Sequence, residues 1–180
     1  MKAKLIDGIT IASNSSFSKA YCEIIKMEQY TSLNRPVINT SERIRLIQKE
    51  IQRKIKNRRF EFPDDYVSLH LCFDGGLLFG TLIYSISQLH GDSNDYELLS
   101  INNKLHEDKD IPEEFIVIAM MDYGHFIAYQ IADQAHNIYV WDPDNKCIVG
   151  SWSNIGEWLE EECIVAKRLL AEKLLTPCED

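Results

Sequence analysis

Residues 112–152 read PEEFIVIAMMDYGHFIAYQIADQAHNIYVWDPDNKCIVGSW, and this stretch decides the fold. Its first run, Phe115–Met121, is apolar at odd and even positions alike, which suits a strand covered on both faces. Asp122-Tyr123-Gly124 turns the chain, and His125–Ile131 alternates more loosely. A second turn at Asp133–His136 leads to a third strand at Ile138–Trp141. Asp142-Pro143-Asp144-Asn145 is a strong turn signal, because Asp and Asn side chains bond nearby backbone and Pro presets φ. Cys147–Trp152 follows as a fourth strand. Connections this short join antiparallel neighbours, so residues 112–152 are predicted to form a meander.

Helical patterns surround it. Asn154 with Glu157 opens a C-terminal helix running to about Leu175. Upstream, Phe62, Tyr66, Leu69 and Phe73 fall on one helical face. Pro63 suits the first helical position, and Asp64 and Asp65 sit where the helix dipole favours anions. Gly75 and Gly76 end that helix, because glycine enters the left-handed region without a Cβ clash. Leu77–Ile86 reads as one strand, with Gly80 as a bulge or close-approach point. A polar loop at His90–Asp95 precedes a helix around Tyr96–Leu105. Nearer the start, Asn39 and Glu42 cap a helix whose Ile44, Ile47, Ile51 and Ile55 form one stripe. Arg45, Lys49, Arg53 and Lys56 lie roughly opposite. Leu5–Ala12 reads as a strand, Phe17, Tyr21, Ile24 and Glu28 as a short helix, and Asn34-Arg35-Pro36 as a break. The sum is α+β: an antiparallel-rich sheet with helices packed around it. Residues 1–40 read as an N-terminal extension of open structure and 41–180 as the domain proper, within a single globular unit.

Composition bounds the function. A chain of 180 residues, 45% apolar and 26% charged, has the ordinary balance of one globular domain. Residues 1–59 carry 13 basic and 5 acidic side chains, a net of +8; residues 60–180 carry 6 and 23, a net of −17. The overall charge of −9 repels nucleic acid and anionic membrane. The basic helix reads as packed by its isoleucines with a solvated cationic back. An RNA-binding face is the other reading, but no aromatic residue interleaves with its cations. No apolar run approaches the roughly 20 residues of a membrane span, and Asp7 interrupts any signal-peptide core. Cys22, Cys72, Cys147, Cys163 and Cys178 are scattered without a C-x-x-C pair, so reduced thiols in a cytoplasmic protein are expected.

Motifs for chemistry are missing. The chain has no Walker loop, G-x-G-x-x-G, G-x-S-x-G or H-E-x-x-H. Asp122 and His125 flank one turn, as a catalytic dyad or as a turn former beside a strand histidine. Asp142-x-Asp144 fails as a calcium loop, since Lys146, Cys147 and Ser153 stand where ligands and a glycine belong. Glu160-Glu161-Glu162 point in different helical directions. Trp141, Trp152 and Trp158 are core edges or anchors for a partner. No cofactor, metal or enzymatic activity is expected.

Phe62-Pro63-Asp64-Asp65-Tyr66, followed by Phe73-Asp74-Gly75-Gly76, resembles the L-P-x-D-Y and N-G-G helix of the SUKH superfamily. Ile111–Phe115, Met121–His125 and Ile138–Asp142 resemble its later strands and turns, so the likeness covers about residues 41–175. Two departures stand out. Asp74 replaces the usual Asn, and Tyr123-Gly124-His125 replaces a doubled glycine near Asp122. The resemblance implies an α+β fold that binds proteins and has no catalytic residues. It implies an immunity protein that neutralises a bacterial toxin, often a nuclease, or alternatively a regulatory scaffold binding an endogenous partner.

An acidic inhibitor suits the first role, because a nuclease presents a cationic cleft to its substrate. The partner expected is therefore a protein with a basic surface, and neither nucleic acid nor membrane. The residues expected to meet it are Asp74, Gly75, Asp122, His125, Trp141, Asp142 and Asp144, with Trp141 as anchor and Asp142 and Asp144 as exposed charges beside it.

Overall fold

The computed structural model describes residues 3–6, 9–12, 16–34, 40–54, 60–86, 97–108, 110–131, 133 and 136–172. The elements run β1 (Ala3–Ile6), β2 (Ile9–Ala12), α1 (Ser16–Lys26), β3 (Thr31–Leu33), α2 (Thr40–Lys54), α3 (Asp64–Cys72), β4 (Gly76–Leu78) and β5 (Thr81–Ile83). They continue with α4 (Leu98–Asp108), β6 (Phe115–Met120), β7 (Phe126–Gln130), β8 (Ile138–Asp142), β9 (Cys147–Trp152) and α5 (Ile155–Ala171). Among the described residues β3 to β9 form a seven-stranded sheet in sequence order, every neighbouring pair antiparallel. The α+β class and the meander over residues 112–152 are both present. Asn39, Ile55, Lys56, Arg35, Pro36, the loop at 90–95, Tyr96 and Cys178 lie outside the described residues.

β6 is buried on both faces, as its sequence requires: Phe115, Ile116, Val117, Ile118 and Ala119 are each at most 3% exposed. β5 pairs with β6 through Leu82↔Met120 and Ile83↔Ala119, and the Tyr84 N–H still reaches the Ile118 carbonyl at 3.0 Å. Beyond that point α4 lies along β6 in place of a strand. A register shift between Val117 and Ala119 marks the same place.

The reading of 77–86 as one strand is corrected. Phe79 (φ 50°) and Gly80 (φ 104°) make a two-residue turn with both φ values positive, and Leu78↔Thr81 closes a hairpin around it. A phenylalanine in the left-handed region gives little turn signal in sequence. Leu5–Ala12 likewise splits, into β1 and β2, paired from Ala3↔Ala12 to Ile6↔Ile9. Pro63 takes the position just before α3 rather than the first inside it, and α5 ends at Ala171, capped by Glu172.

Residues before 40 enter the same core. Phe17, Ala20, Tyr21, Ile24 and Met27 of α1 and the following residue are buried, α1 packs along α5, and β3 edges the sheet beside β4. Ile44, Ile47 and Ile51 of α2 are buried while Arg45, Lys49 and Arg53 face solvent. An aromatic column then runs Phe60, Phe62, Tyr66, His70, with ring centroids 5.2, 4.4 and 4.5 Å apart. Tyr129 meets Tyr66 edge-on at 5.9 Å, which ties α3 to β7. α5 begins with the reciprocal cap its sequence announces. Asn154 Oδ1 accepts the Glu157 N–H at 3.0 Å, and Glu157 Oε2 accepts the Ser153 N–H at 3.0 Å.

Candidate partner-binding site

The seven residues expected to meet a partner separate into buried and exposed sets. Asp74 is fully buried where α3 gives way to β4. Its Oδ1 accepts the Ile86 N–H at 3.0 Å and stands 3.7 Å from His70 Nδ1, and its own N–H donates to the Asn34 carbonyl at 2.9 Å. Burial works to raise the Asp74 pKa, but the nearby His70 ring and the hydrogen bond from the Ile86 N–H hold it below the usual carboxylate range. Burial pushes His70 down, against the pull of Asp74. Gly75 is buried at φ 75°, and a Cβ there would come within 2.8 Å of both Ile83 O and Ser85 N. These two residues close a helix-to-strand junction and present no surface, which corrects their assignment to the interface.

Trp141 and Asp142 also turn inward. Trp141 is 8% exposed, its indole N–H donates to the Asp110 carbonyl at 2.8 Å, and its ring stands 5.5 Å from Phe115. Asp142 accepts from the Asn145 side chain at 2.8 Å and from the backbone N–H groups of Asp144 and Asn145 at 2.9 and 3.0 Å. The Asn145 side chain and those backbone donors hold its carboxyl below the usual range. The picture of two exposed charges beside an exposed indole is corrected: the DPDN turn folds around the Asp142 side chain, and of the two aspartates Asp144 is the exposed one.

Asp122 and His125 stay at the surface, but His125 faces a different carboxylate from the one sequence proximity offers. Its Nε2 lies 3.6 Å from Asp142 Oδ2. Asp122 leans over the β4–β5 turn, with its Oδ2 3.6 Å from where a Cβ on Gly80 would stand. Between them Tyr123 is 61% exposed, edge-on to the His125 ring at 4.8 Å, with its hydroxyl donating to Met121 Sδ at 2.8 Å.

α5 brings two more carboxylates to this turn. Glu162 accepts the Trp158 indole N–H at 3.1 Å and the Thr81 hydroxyl at 3.4 Å, and Glu161 accepts the Trp152 indole N–H. Burial pushes Glu162 up, and Glu161 and Asp122 add to the rise. Tyr123 is likewise pushed up by partial burial and then by Glu162, Asp122 and Glu161. Among the described residues none of Asp122, Glu161 and Glu162 forms an ion pair. The result is one exposed aromatic ring within three uncompensated carboxylates, the layout of an anchor with a charged rim. Sequence reasoning missed Tyr123, Glu161 and Glu162 as a group. Its signals were a tyrosine in an acidic turn and an acidic run early in α5, which the fold alone juxtaposes.

No helix among the described residues is long and apolar enough to cross a membrane. No curated protein matches the chain. Residues 46–161, from within α2 to the first half of α5, match the model of the SMI1 / KNR4 family (SUKH-1), and the matched span includes the meander and, of the acidic patch, Asp122, Tyr123 and Glu161.

Proposed function

This chain belongs to the SMI1 / KNR4 family (SUKH-1), and from that premise we propose that it is a non-catalytic immunity protein that binds and neutralises a basic-surfaced toxin domain. The observation that carries the reading is the patch of Asp122, Tyr123, Glu161 and Glu162. A toxin that cleaves nucleic acid holds phosphate with Lys and Arg, so the surface it must surrender to an inhibitor is cationic. Three carboxylates with no ion-pair partner among the described residues meet it at no cost in broken ion pairs. Tyr123 supplies the large, rigid contact area that hot spots favour. The −17 net charge of residues 60–180 extends the same field and speeds encounter.

The test is co-expression with a toxin domain encoded by the neighbouring gene. The wild-type chain restores growth and copurifies with the toxin, whereas Asp122→Lys combined with Glu161→Lys, folded as judged by circular dichroism, protects measurably less because it captures the toxin more slowly. Protection by the double variant equal to wild type overturns the role of the patch. Absence of any complex with the wild-type chain overturns the immunity reading itself.

A further inference from the structure

A second acidic feature lies at the other end of β7, where α3 and α5 both begin. A cavity of about 380 Å³ opens there, with Glu61, Asp64, Asp65, Tyr129, His136 and Asn154 in its walls. Glu61 and Asp64 are exposed at its rim and Asp65 is half-buried within. Among the described residues these three carboxylates form no ion pair. An independent observation comes from Tyr129, which also lines the cavity. Tyr129 is 2% exposed and its hydroxyl has no hydrogen-bond partner, although a buried hydroxyl that has lost water ordinarily gains a replacement.

The charge balance decides which ligand fits. Two helix N-termini contribute about half a positive charge each, and the His136 ring adds at most one. Three carboxylates exceed that sum, so the cavity is negative. Asp65 is pushed up by burial and then by Asp64, which is the behaviour of a carboxylate lacking a cation.

We infer that this cavity receives one cationic side chain of a protein partner, a lysine ammonium or an arginine guanidinium, held by the Asp65 carboxylate with the Tyr129 hydroxyl as second acceptor. The protein source of the cation rests on the binding role proposed above; the cavity's preference for a cation rests on its own walls. The volume accommodates either head group with part of its aliphatic stem, and Phe62 and Pro63 in the wall supply apolar contact for that stem. Because Asn154 already accepts from Glu157, its side-chain oxygen is occupied and the uptake falls to Asp65 and Tyr129.

The experiment titrates the full chain with N-acetyl-lysine-N-methylamide, the arginine analogue, the uncharged norleucine analogue and free cadaverine, following backbone amide shifts by NMR. Saturable shifts at Asp64, Asp65, Tyr129 and Asn154 are expected with the two capped cations and not with norleucine. Asp65→Asn should weaken both by about tenfold or more, the loss of a charge-assisted bond. Tyr129→Phe, which removes a buried unpartnered hydroxyl and is expected to fold, should weaken them about threefold. Equal response to norleucine, or unchanged binding by Asp65→Asn, overturns the cation site. Cadaverine binding much more tightly than capped lysine overturns the side-chain source, since it marks a free amine as the ligand. Uptake of capped lysine by a chain that binds no toxin supports the site while the immunity reading fails, so the two are separable.

Discussion

The side-chain amide of Asn102 lies across the backbone of Val117, its Oδ1 accepting the Val117 N–H and its Nδ2 donating to the Val117 carbonyl, each at 2.8 Å. The same Nδ2 donates to the Leu98 carbonyl at 2.8 Å, and the residue is 5% exposed. An asparagine amide has the donor and acceptor of a peptide group. Here it stands in for the strand that β5 fails to continue along β6. Asn102→Leu leaves a buried N–H and a buried carbonyl unpaired, at about 1–3 kcal/mol each, so a loss of roughly 2–6 kcal/mol is expected in urea unfolding. Amide exchange at Val117 should rise well beyond that of Ile127. A variant as stable as wild type would mean that water replaces the amide.

Gly76 and Gly124 both have positive φ but should differ sharply as alanines. At Gly76 (φ 110°) a Cβ would stand 2.3 Å from Ser32 O and 2.9 Å from Leu33 Cα, backbone atoms of β3 that cannot swing aside. At Gly124 (φ 89°) no atom lies within 4 Å. Gly124→Ala should therefore cost the backbone strain alone, about 1–2 kcal/mol. Gly76→Ala should cost considerably more and detach β3 from β4. Comparable denaturation midpoints for the two variants would contradict the close approach.

The buried pair His70 and Asp74 makes the fold acid-labile. Both have pKa values below their unfolded values of 6.5 and 3.8, His70 chiefly through burial, and Asp74 because its hydrogen bonds outweigh burial. Below pH 6.5 the unfolded chain binds a proton at His70 that the folded chain refuses, so stability falls as pH drops from 6.5 through the folded His70 value. A second loss follows below pH 3.8 for Asp74, by the same sign. His106, also pushed down by burial, acts in the same direction as His70. His70→Gln should therefore reduce, without abolishing, the fall in urea midpoint between pH 7 and 5. Asp74→Asn preserves the acceptor for the Ile86 N–H and should remove the loss below pH 3.8. An unaltered midpoint-versus-pH curve for His70→Gln would show that the histidine is not the source.

The meander was readable because each of its signals is local: a run apolar on both faces, three short connections and a DPDN turn. The β4–β5 hairpin was hidden because its turn puts Phe79 where glycine or asparagine is usual. The recruitment of β3 is a long-range pairing that no local pattern encodes. The site was less readable for a related reason. DPDN announces a turn without saying whether Asp142 faces water or its own backbone, and here the turn needs that carboxylate for three donors. Trp141 sits on the strand position that faces Phe115, so its indole belongs to the core. Asp122 and His125 stay at the surface because turns are exposed. Tyr123, Glu161 and Glu162 form a group only after α5 folds back across the β6–β7 turn, some 40 residues away in sequence.

The acidic patch should control arrival and departure of a partner separately. Asp122 and Glu161 lie at the rim, where charge acts on encounter more than on the finished contact. Asp122→Lys with Glu161→Lys should slow association with the toxin domain several-fold at low salt and flatten its dependence on ionic strength. Tyr123→Ala should instead speed dissociation, costing about 2 kcal/mol, or roughly thirtyfold in affinity, if measured at fixed salt. Its exposed ring contributes little to the core, so unfolding stability should hardly change. Trp141→Ala should behave in the opposite way: a buried indole removed from beside Phe115 costs about 3–5 kcal/mol of stability, with binding lost in proportion to unfolding. Asp144→Lys, exposed on the neighbouring β8–β9 turn, should leave dissociation untouched. Surface plasmon resonance beside urea denaturation separates these cases. Wild-type kinetics for both the double lysine variant and Tyr123→Ala would place the interface on another face of the sheet.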